Sequence, residues 1–101
     1  MSDRNAILER ALFPIKPGMA KEFAAAFAEA RLLIEASPGF RRLEMRQGIE
    51  TPDSFLLLVW WDSVEAHMQG FRESPAIHRW RALLSPFFAG TPRMEHFGQG
   101  L

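Results

Sequence analysis

The segment Phe55-Leu56-Leu57-Leu58-Val59-Trp60-Trp61 decides the fold class of this protein. It is short and apolar at every position, which is typical of a β-strand that is buried on both faces. Because side chains alternate along a strand, Phe55, Leu57, Val59 and Trp61 share one face, and Leu56, Leu58 and Trp60 share the other. Each face therefore needs its own covering layer.

The segments on either side of this strand alternate between strand and helix patterns. A loose alternation of apolar and polar residues, ended by prolines, predicts a first strand. Apolar residues spaced three and four apart predict a helix, which stops at Ser37-Pro38-Gly39. Asp62 is predicted to cap a further helix, with Glu65 completing the capping arrangement. The predicted elements are a strand over 6–15, a helix over 19–36, strands over 40–49 and 55–61, a helix from 63 to about 70–74, a helix over 75–84, a loop over 85–92 and a strand over 93–97.

This order is typical of the ferredoxin-like βαββαβ plan, an α+β fold with four antiparallel strands and helices on one face of the sheet. The helices cover one face only, so Leu56, Leu58 and Trp60 would meet water. Leaving a large apolar side chain unburied costs about 1.5–3 kcal/mol. A second copy that packs sheet on sheet through an isologous contact removes this cost. We therefore predict a homodimer that forms an α+β barrel.

Composition limits the classes of function. The chain has 101 residues, which predicts one domain over 1–101. Twelve Lys and Arg balance twelve Asp and Glu, the two signs are interspersed, and no basic surface for nucleic acid is predicted. The apolar runs are too short to span a bilayer, and Met1 to Asn5 is polar, unlike a signal peptide. We expect a small cytoplasmic protein without a membrane partner.

The sequence also lacks the common patterns for metal and cofactor sites. There is no cysteine, and the three histidines, His67, His78 and His96, lack the close helical spacing of metal ligands. No glycine-rich phosphate loop and no serine-nucleophile motif occur. We expect no metal and no tightly held cofactor.

His67 is the most informative histidine. It is predicted to lie on the apolar stripe of its helix with Val64, Met68 and Phe71, between helix and sheet. An imidazole placed there can act as a general base, because its pKa lies near neutrality. A buried histidine that is satisfied by a backbone carbonyl or a water fits the same pattern, and both interpretations stay open.

The other polar candidates lie in the second half of the chain. His78 falls on the polar side of its helix and is expected to face solvent. Arg81 next to Trp80 can neutralise an anionic substrate or pair with a surface glutamate. His96 alternates with Glu95 on the last strand; its face is undetermined and a structural role is favoured.

Aromatic residues are concentrated in the same half of the chain. Core packing accounts for most of them, but aromatic and methionine residues around one histidine also suit a flat aromatic ligand in an apolar cleft. The residues concerned are Trp60, Trp61, Phe71, Trp80, Phe87, Phe88 and Phe97.

Several landmarks in order resemble the antibiotic biosynthesis monooxygenase family over about residues 6–97. They are Pro17-Gly18, Pro38-Gly39-Phe40, Trp61-Asp-Ser-Val-Glu-Ala-His67, Phe71, Ser74-Pro75 and Pro92-Arg-Met-Glu-His96. The resemblance implies a dimeric α+β barrel, in agreement with the two-faced strand. It also implies oxygenation of a polyketide-like or quinol-like aromatic without metal or flavin.

The resemblance assigns roles to single positions. Trp61 matches the tryptophan of the polyketide oxygenases, and His67 takes a position where those enzymes can carry a tyrosine. Their pocket asparagine falls at Leu57, which removes a polar contact to the substrate. The heme-degrading branch fits less well, since its pocket tryptophan falls at Gly70 and its iron-ligating histidine at Trp80.

Three functions are therefore compared. The leading hypothesis is a cofactor-independent monooxygenase with His67 as the base and with Trp61, Phe71, Trp80 and Arg81 as substrate-binding residues. The second is a non-catalytic dimer that binds a hydrophobic metabolite, which the missing asparagine favours. The third is a heme-binding or heme-degrading relative.

Overall fold

The apolar strand that decides the fold lies inside a four-stranded sheet. The computed structural model describes residues 4–101, so the first three residues of the predicted domain and part of its polar start lie outside the described residues. Along the chain the elements are β1 (Ile7–Pro14), α1 (Ala20–Glu35), β2 (Phe40–Gln47), β3 (Ser54–Trp61), α2 (Val64–His67), α3 (Ala76–Leu84) and β4 (Arg93–Phe97). Within residues 4–101, no helix is long and apolar enough to cross a membrane.

All neighbouring strands pair antiparallel, in the order β2-β3-β1-β4. β3 and β1 are the central strands, and β2 and β4 form the two edges. Pro14 lies at the end of β1, where the loss of an amide donor costs least. The ferredoxin-like α+β fold predicted from the sequence is confirmed.

The two faces of β3 differ in their covering. Phe55, Leu57, Val59 and Trp61 are buried, while the side chains between them are half-buried. The buried face packs against α1 and α3, whose inward residues are spaced three and four apart as predicted. These helix residues are Phe23, Phe27, Ala30, Ile34, Ile77, Trp80 and Leu84.

The segment after β3 differs from its prediction in two respects. Ser63, not Asp62, caps α2, and its Oγ accepts a hydrogen bond from the Ala66 amide at 3.1 Å. Asp62 instead pairs with Arg41 at 2.6 Å, so its carboxylate is not available as the cap. After His67 the chain widens into a π-helical turn over Met68–Arg72. This changes the helical phase, and Val64 is exposed rather than part of the buried stripe.

A close backbone approach fixes where α2 begins. Gly39 has φ +84° and lies against Ala66, where a Cβ at residue 39 would come within 2.5 Å of the Ala66 Cβ. The Gly39 carbonyl accepts a hydrogen bond from the Asp62 amide at 2.8 Å. Glycine is required by both the left-handed φ and the contact. The turn after α1 thereby holds the start of α2, and with it His67, against the sheet.

Candidate functional site

A carboxylate lies on the helix-covered face of the central strand β1. Glu9 has only 4% of its surface exposed. It shares this face with Ala11 and Phe13, because side chains two and four residues along a strand point the same way. A buried carboxylate without partners is costly, so its neighbours decide what it can do.

The first neighbour of Glu9 is Trp61 at the end of β3. The Trp61 indole Nε1 donates a hydrogen bond to Glu9 Oε1 at 2.9 Å. Trp61 is fully buried, and its ring stacks on the His67 ring with centroids 5.2 Å apart and planes 23° apart. Trp61 therefore orients both the carboxylate and the imidazole.

His67 joins Glu9 to a second histidine. His67 Nε2 lies 3.4 Å from Glu9 Oε1, and His67 Nδ1 lies 2.8 Å from His96 Nε2. His96 is directly opposite Glu9 in the pairing of β1 with β4, so the two side chains share one face of the sheet. The three residues form a continuous polar chain through an apolar layer, which we call the Glu9–His67–His96 chain.

Burial dominates the protonation of this chain. It raises the pKa of Glu9 to about 7, against the opposing effects of the Trp61 hydrogen bond and the Arg72 charge. Burial also lowers the pKa of His67 to about 3, with smaller contributions from His96 and Arg72. The pKa of His96 is lowered by burial and by Arg72. Near neutral pH the chain therefore holds neutral imidazoles beside a carboxyl that is close to its midpoint.

The chain borders a cavity of about 290 Å³ between the helices and the sheet. The cavity is mostly apolar with a few polar side chains in its lining, which is the usual composition of a small-molecule site. Its lining includes Glu9, Ala11, Phe13, Ile34, His67, Phe71, Arg72, Ile77, Trp80, Arg81, Phe88, Thr91, Pro92 and Met94.

One oxygen of Glu9 is directed to this cavity. Its Oε1 is used by Trp61, and Oε2 has no hydrogen-bond partner among residues 4–101. Every fully enclosed side-chain nitrogen and oxygen in this part of the chain does have a partner. Oε2 is therefore not enclosed, and because Glu9 lines the cavity, this oxygen opens into it.

Four of the five site residues predicted from the sequence line the cavity, namely His67, Phe71, Trp80 and Arg81. Trp61 does not line it and lies one layer behind, against Glu9 and His67. The Phe71 and Trp80 rings meet edge to face, with centroids 5.5 Å apart.

Arg81 is exposed, and its side chain makes no hydrogen bond or ion pair within residues 4–101. The alternative of a surface ion pair is therefore wrong for Arg81. Its neighbour Arg79 forms such a pair instead, with Glu29 at 2.7 Å.

Glu9 and Arg72 are the site residues that sequence reasoning missed. A signal for Glu9 was present, since a charged residue precedes Ala11 and Phe13 at the spacing of one strand face. Leu57, which stands where the resemblance expects an asparagine, is fully buried and does not line the cavity. His78 is exposed, as predicted, and lies outside the cavity lining.

Comparisons with known proteins agree with this architecture. A family model for antibiotic biosynthesis monooxygenases matches residues 6–83. The uncharacterized protein YczJ of Bacillus subtilis (strain 168) is 36% identical over 91 residues, which cover 90% of this chain and 96% of YczJ.

Two solved structures have the same fold over nearly their whole length. The crystal structure of a proposed antibiotic biosynthesis monooxygenase from Bordetella bronchiseptica has a TM-score of 0.91 and 33% identity, over 96% of this chain and 99% of that one. SnoaB, a cofactor-independent oxygenase from Streptomyces nogalater, has a TM-score of 0.83 and 18% identity, over 96% and 95% of the two chains. The family match and the closely similar relatives together show that this chain belongs to the antibiotic biosynthesis monooxygenase family.

Proposed function

We propose that this protein is a cofactor-independent monooxygenase that acts on a small aromatic, quinol or polyketide-like substrate, without metal or flavin. One observation carries the proposal: a buried carboxyl oxygen, Glu9 Oε2, opens into an aromatic-lined cavity. Family membership and the fold shared with SnoaB support it.

The base in this proposal is a pair rather than His67 alone. Both ring nitrogens of His67 face other groups of the chain, and burial holds its pKa far below neutrality. Glu9 has a pKa of about 7, where a general base is most effective. We assign the removal of the substrate proton to Glu9, and His67 is the group that takes the carboxyl proton of Glu9 beforehand.

The proposed chemistry needs little else from the protein. A phenolic or anthrone-like substrate that has lost a proton is electron-rich enough to reduce dioxygen itself. The site then has to supply the base, stabilise the anion and exclude water. Arg72 and Arg81 line the cavity and provide positive charge for the anion. Phe71 and Trp80 provide apolar surface against which a flat ring packs.

We further propose that two copies pair through the outer face of the sheet. This face carries an apolar row of Trp60, Leu8 and Phe97 across β3, β1 and β4, and an apolar pair of Leu56 with Leu12. Between them lies the charge-neutral pair of Arg10 and Glu95 at 3.2 Å. The edge strand β2 adds Glu44 to this face, paired with Arg42 and Arg46. An isologous contact would place the apolar side chains of the two copies against each other. A second copy would bury this face and complete the α+β barrel.

Oxygen uptake tests the proposed reaction directly. We expect the wild type to consume oxygen with at least one member of a panel of anthrones and quinols. Glu9→Gln and His67→Ala should each lower the rate by about a hundredfold or more, the usual contribution of a general base. Glu22→Gln is the matched control, because Glu22 is exposed on α1 and lies outside the cavity lining, so the rate should stay unchanged. Equal rates for wild type and Glu9→Gln would remove Glu9 from the mechanism.

The same panel separates the alternatives. Saturable binding of these aromatics without any oxygen uptake would favour a binding dimer over an oxygenase. A heme titration that gives a Soret shift would favour the heme-binding relative. We expect neither result. For heme the reasons are that Trp80 stands where that branch has its iron ligand, and that His67, the imidazole in the cavity lining, is already paired with His96.

A further inference from the structure

We propose that Glu9, His67 and His96 form a proton relay that connects the cavity with solvent at the β4 edge of the sheet. The relay rests on the proposed function, since it ionises the carboxyl that accepts the substrate proton and reprotonates that carboxyl afterwards. Each of its three members supplies one contact that such a relay requires.

Glu9 is the inner end of the relay. Its Oε2 opens into the cavity, while its Oε1 lies 3.4 Å from His67 Nε2. The carboxyl gives its proton to His67 Nε2 from Oε1, and the carboxylate that remains accepts the substrate proton on Oε2. Long hydrogen bonds of this kind often tighten once substrate is bound. Trp61 keeps the carboxyl in place by its bond at 2.9 Å.

His67 is the middle member. It is 2% exposed, so water does not replace it in the chain. It can take a proton on Nε2 and release another from Nδ1 to His96 at 2.8 Å. This exchange moves a proton through the ring by a change of tautomer, and no buried imidazolium has to persist.

His96 is the outer end. It lies on the edge strand β4 and is half-buried. Its Nε2 faces His67, and its Nδ1 has no partner within the described part of the chain. Because every enclosed side-chain nitrogen there is hydrogen-bonded, Nδ1 of His96 is accessible to water. The relay therefore reaches solvent at a nitrogen that can release a proton.

The charged groups around the relay favour transfer of one proton at a time. Arg72, in the turn after α2, disfavours protonation of all three members. Arg81 of α3 adds a second positive charge at the cavity. On β1 and β4, Arg10 and Glu95 pair with each other on the far side of the sheet. These positive charges would repel a second proton on the Glu9–His67–His96 chain. The chain therefore gives up one proton when it accepts another.

Two opposite transfers restore the relay in each reaction cycle. The outward transfer moves the carboxyl proton of Glu9 to His67 Nε2, while a proton leaves His96 for solvent. The ionised Glu9 then takes the proton of the substrate C–H bond, and the resulting carbanion gives one electron to dioxygen. Recombination of the two radicals forms the C–O bond of a peroxide anion, which takes that proton back from Glu9. The hydroperoxide loses water to form a carbonyl group, so that CH₂ and O₂ give C=O and H₂O. The inward transfer then reprotonates Glu9 and reverses the tautomers, so that the starting state returns.

Nitrogen NMR of isotope-labelled histidine tests the relay without any substrate. Below the pKa of Glu9, the relay predicts that His67 carries its proton on Nδ1, because Nε2 accepts from the Glu9 carboxyl. Above that pKa, the proton should be on Nε2, with a midpoint near pH 7. Glu9→Gln should abolish the change. A His67 tautomer that is the same on both sides of the midpoint would overturn the relay.

Oxygen uptake provides a second readout. His96→Ala should lower the rate with an anthrone about tenfold or more, and added imidazole should restore part of it, because the lost group lies at the surface. His78→Ala is the control and should show neither effect. A His96→Ala rate equal to that of the wild type would contradict the relay. If the wild type consumes no oxygen, the proposed reaction fails, while the tautomer measurement still decides the relay.

Discussion

Glu9 and His96 lie directly opposite each other on the neighbouring strands β1 and β4, and both side chains point to the helix-covered face. Cross-strand partners on one face have Cβ atoms about 5 Å apart. Within residues 4–101, only His67, projecting from α2, contacts both of them. The site is therefore assembled across the sheet, and its chemistry depends on the register of β1 with β4.

The two buried ionisable groups should give stability an unusual dependence on pH. Between pH 4.5 and about 7, folded Glu9 holds a proton that the unfolded chain has lost, so stability falls as pH rises. Between about pH 3 and 6.5, folded His67 lacks a proton that the unfolded chain holds, so stability rises with pH. Where these intervals overlap, the two effects oppose each other.

Replacing Glu9 removes its contribution to the pH dependence of stability and leaves that of His67. We expect Glu9→Gln to gain stability relative to the wild type as pH rises from 4.5 to 7, by on the order of 3 kcal/mol in total. Urea unfolding at both ends of this interval measures the difference. Glu22→Gln, at an exposed position on α1, is the control and should show no such trend. A wild-type-minus-variant difference that is constant with pH would contradict the raised pKa of Glu9.

Trp61 should set the pKa of Glu9. Its Nε1–H hydrogen bond stabilises the ionised carboxylate, so Trp61→Phe should raise the Glu9 pKa further above 7. The acid side of the rate–pH profile for oxygen uptake should then move to higher pH. Trp80→Phe is the matched control, because Trp80 lines the cavity but does not donate to Glu9. A shift of equal size in both variants would speak against the role of the indole donor.

Arg81 should select for anionic ligands. We expect Arg81→Gln to weaken the binding of anthracene-2-carboxylate about tenfold, the usual size of one lost charge-assisted hydrogen bond. Binding of the neutral methyl ester should not change. The control is Arg79→Gln, which removes a neighbouring arginine that is paired with Glu29. Fluorescence titration supplies both dissociation constants, and an equal loss for acid and ester would remove the charge argument.

The sheet face should determine the oligomeric state. Leu58→Asp places a charge at the centre of the proposed contact, and we expect the protein to become a monomer in light scattering. Leu32→Asp makes the same change on α1 at a side chain that is 62% exposed, and the dimer should persist there. A wild-type mass that corresponds to one chain at all concentrations would disprove the dimer.

Local patterns accounted for most of the fold. Periodicity and turn chemistry act over a few residues, so they could be recognised in the sequence. They predicted the strand over 55–61, the helix that ends at Ser37-Pro38-Gly39 and the order of the elements. The errors occurred where local signals compete. Asp62 and Ser63 are both good caps, and a distant residue, Arg41, decided between them.

The sequence by itself determined a sheet with two apolar faces, the helices that cover one of them, and His67 as a residue between helix and sheet. Only the tertiary structure decided that Glu9, His67 and His96 meet. Strand order and register bring together residues that are far apart in the chain, and no periodicity within one segment encodes that contact. The protonation state of the site follows from this meeting, because burial next to specific partners, not residue type, sets the pKa of Glu9 and His67.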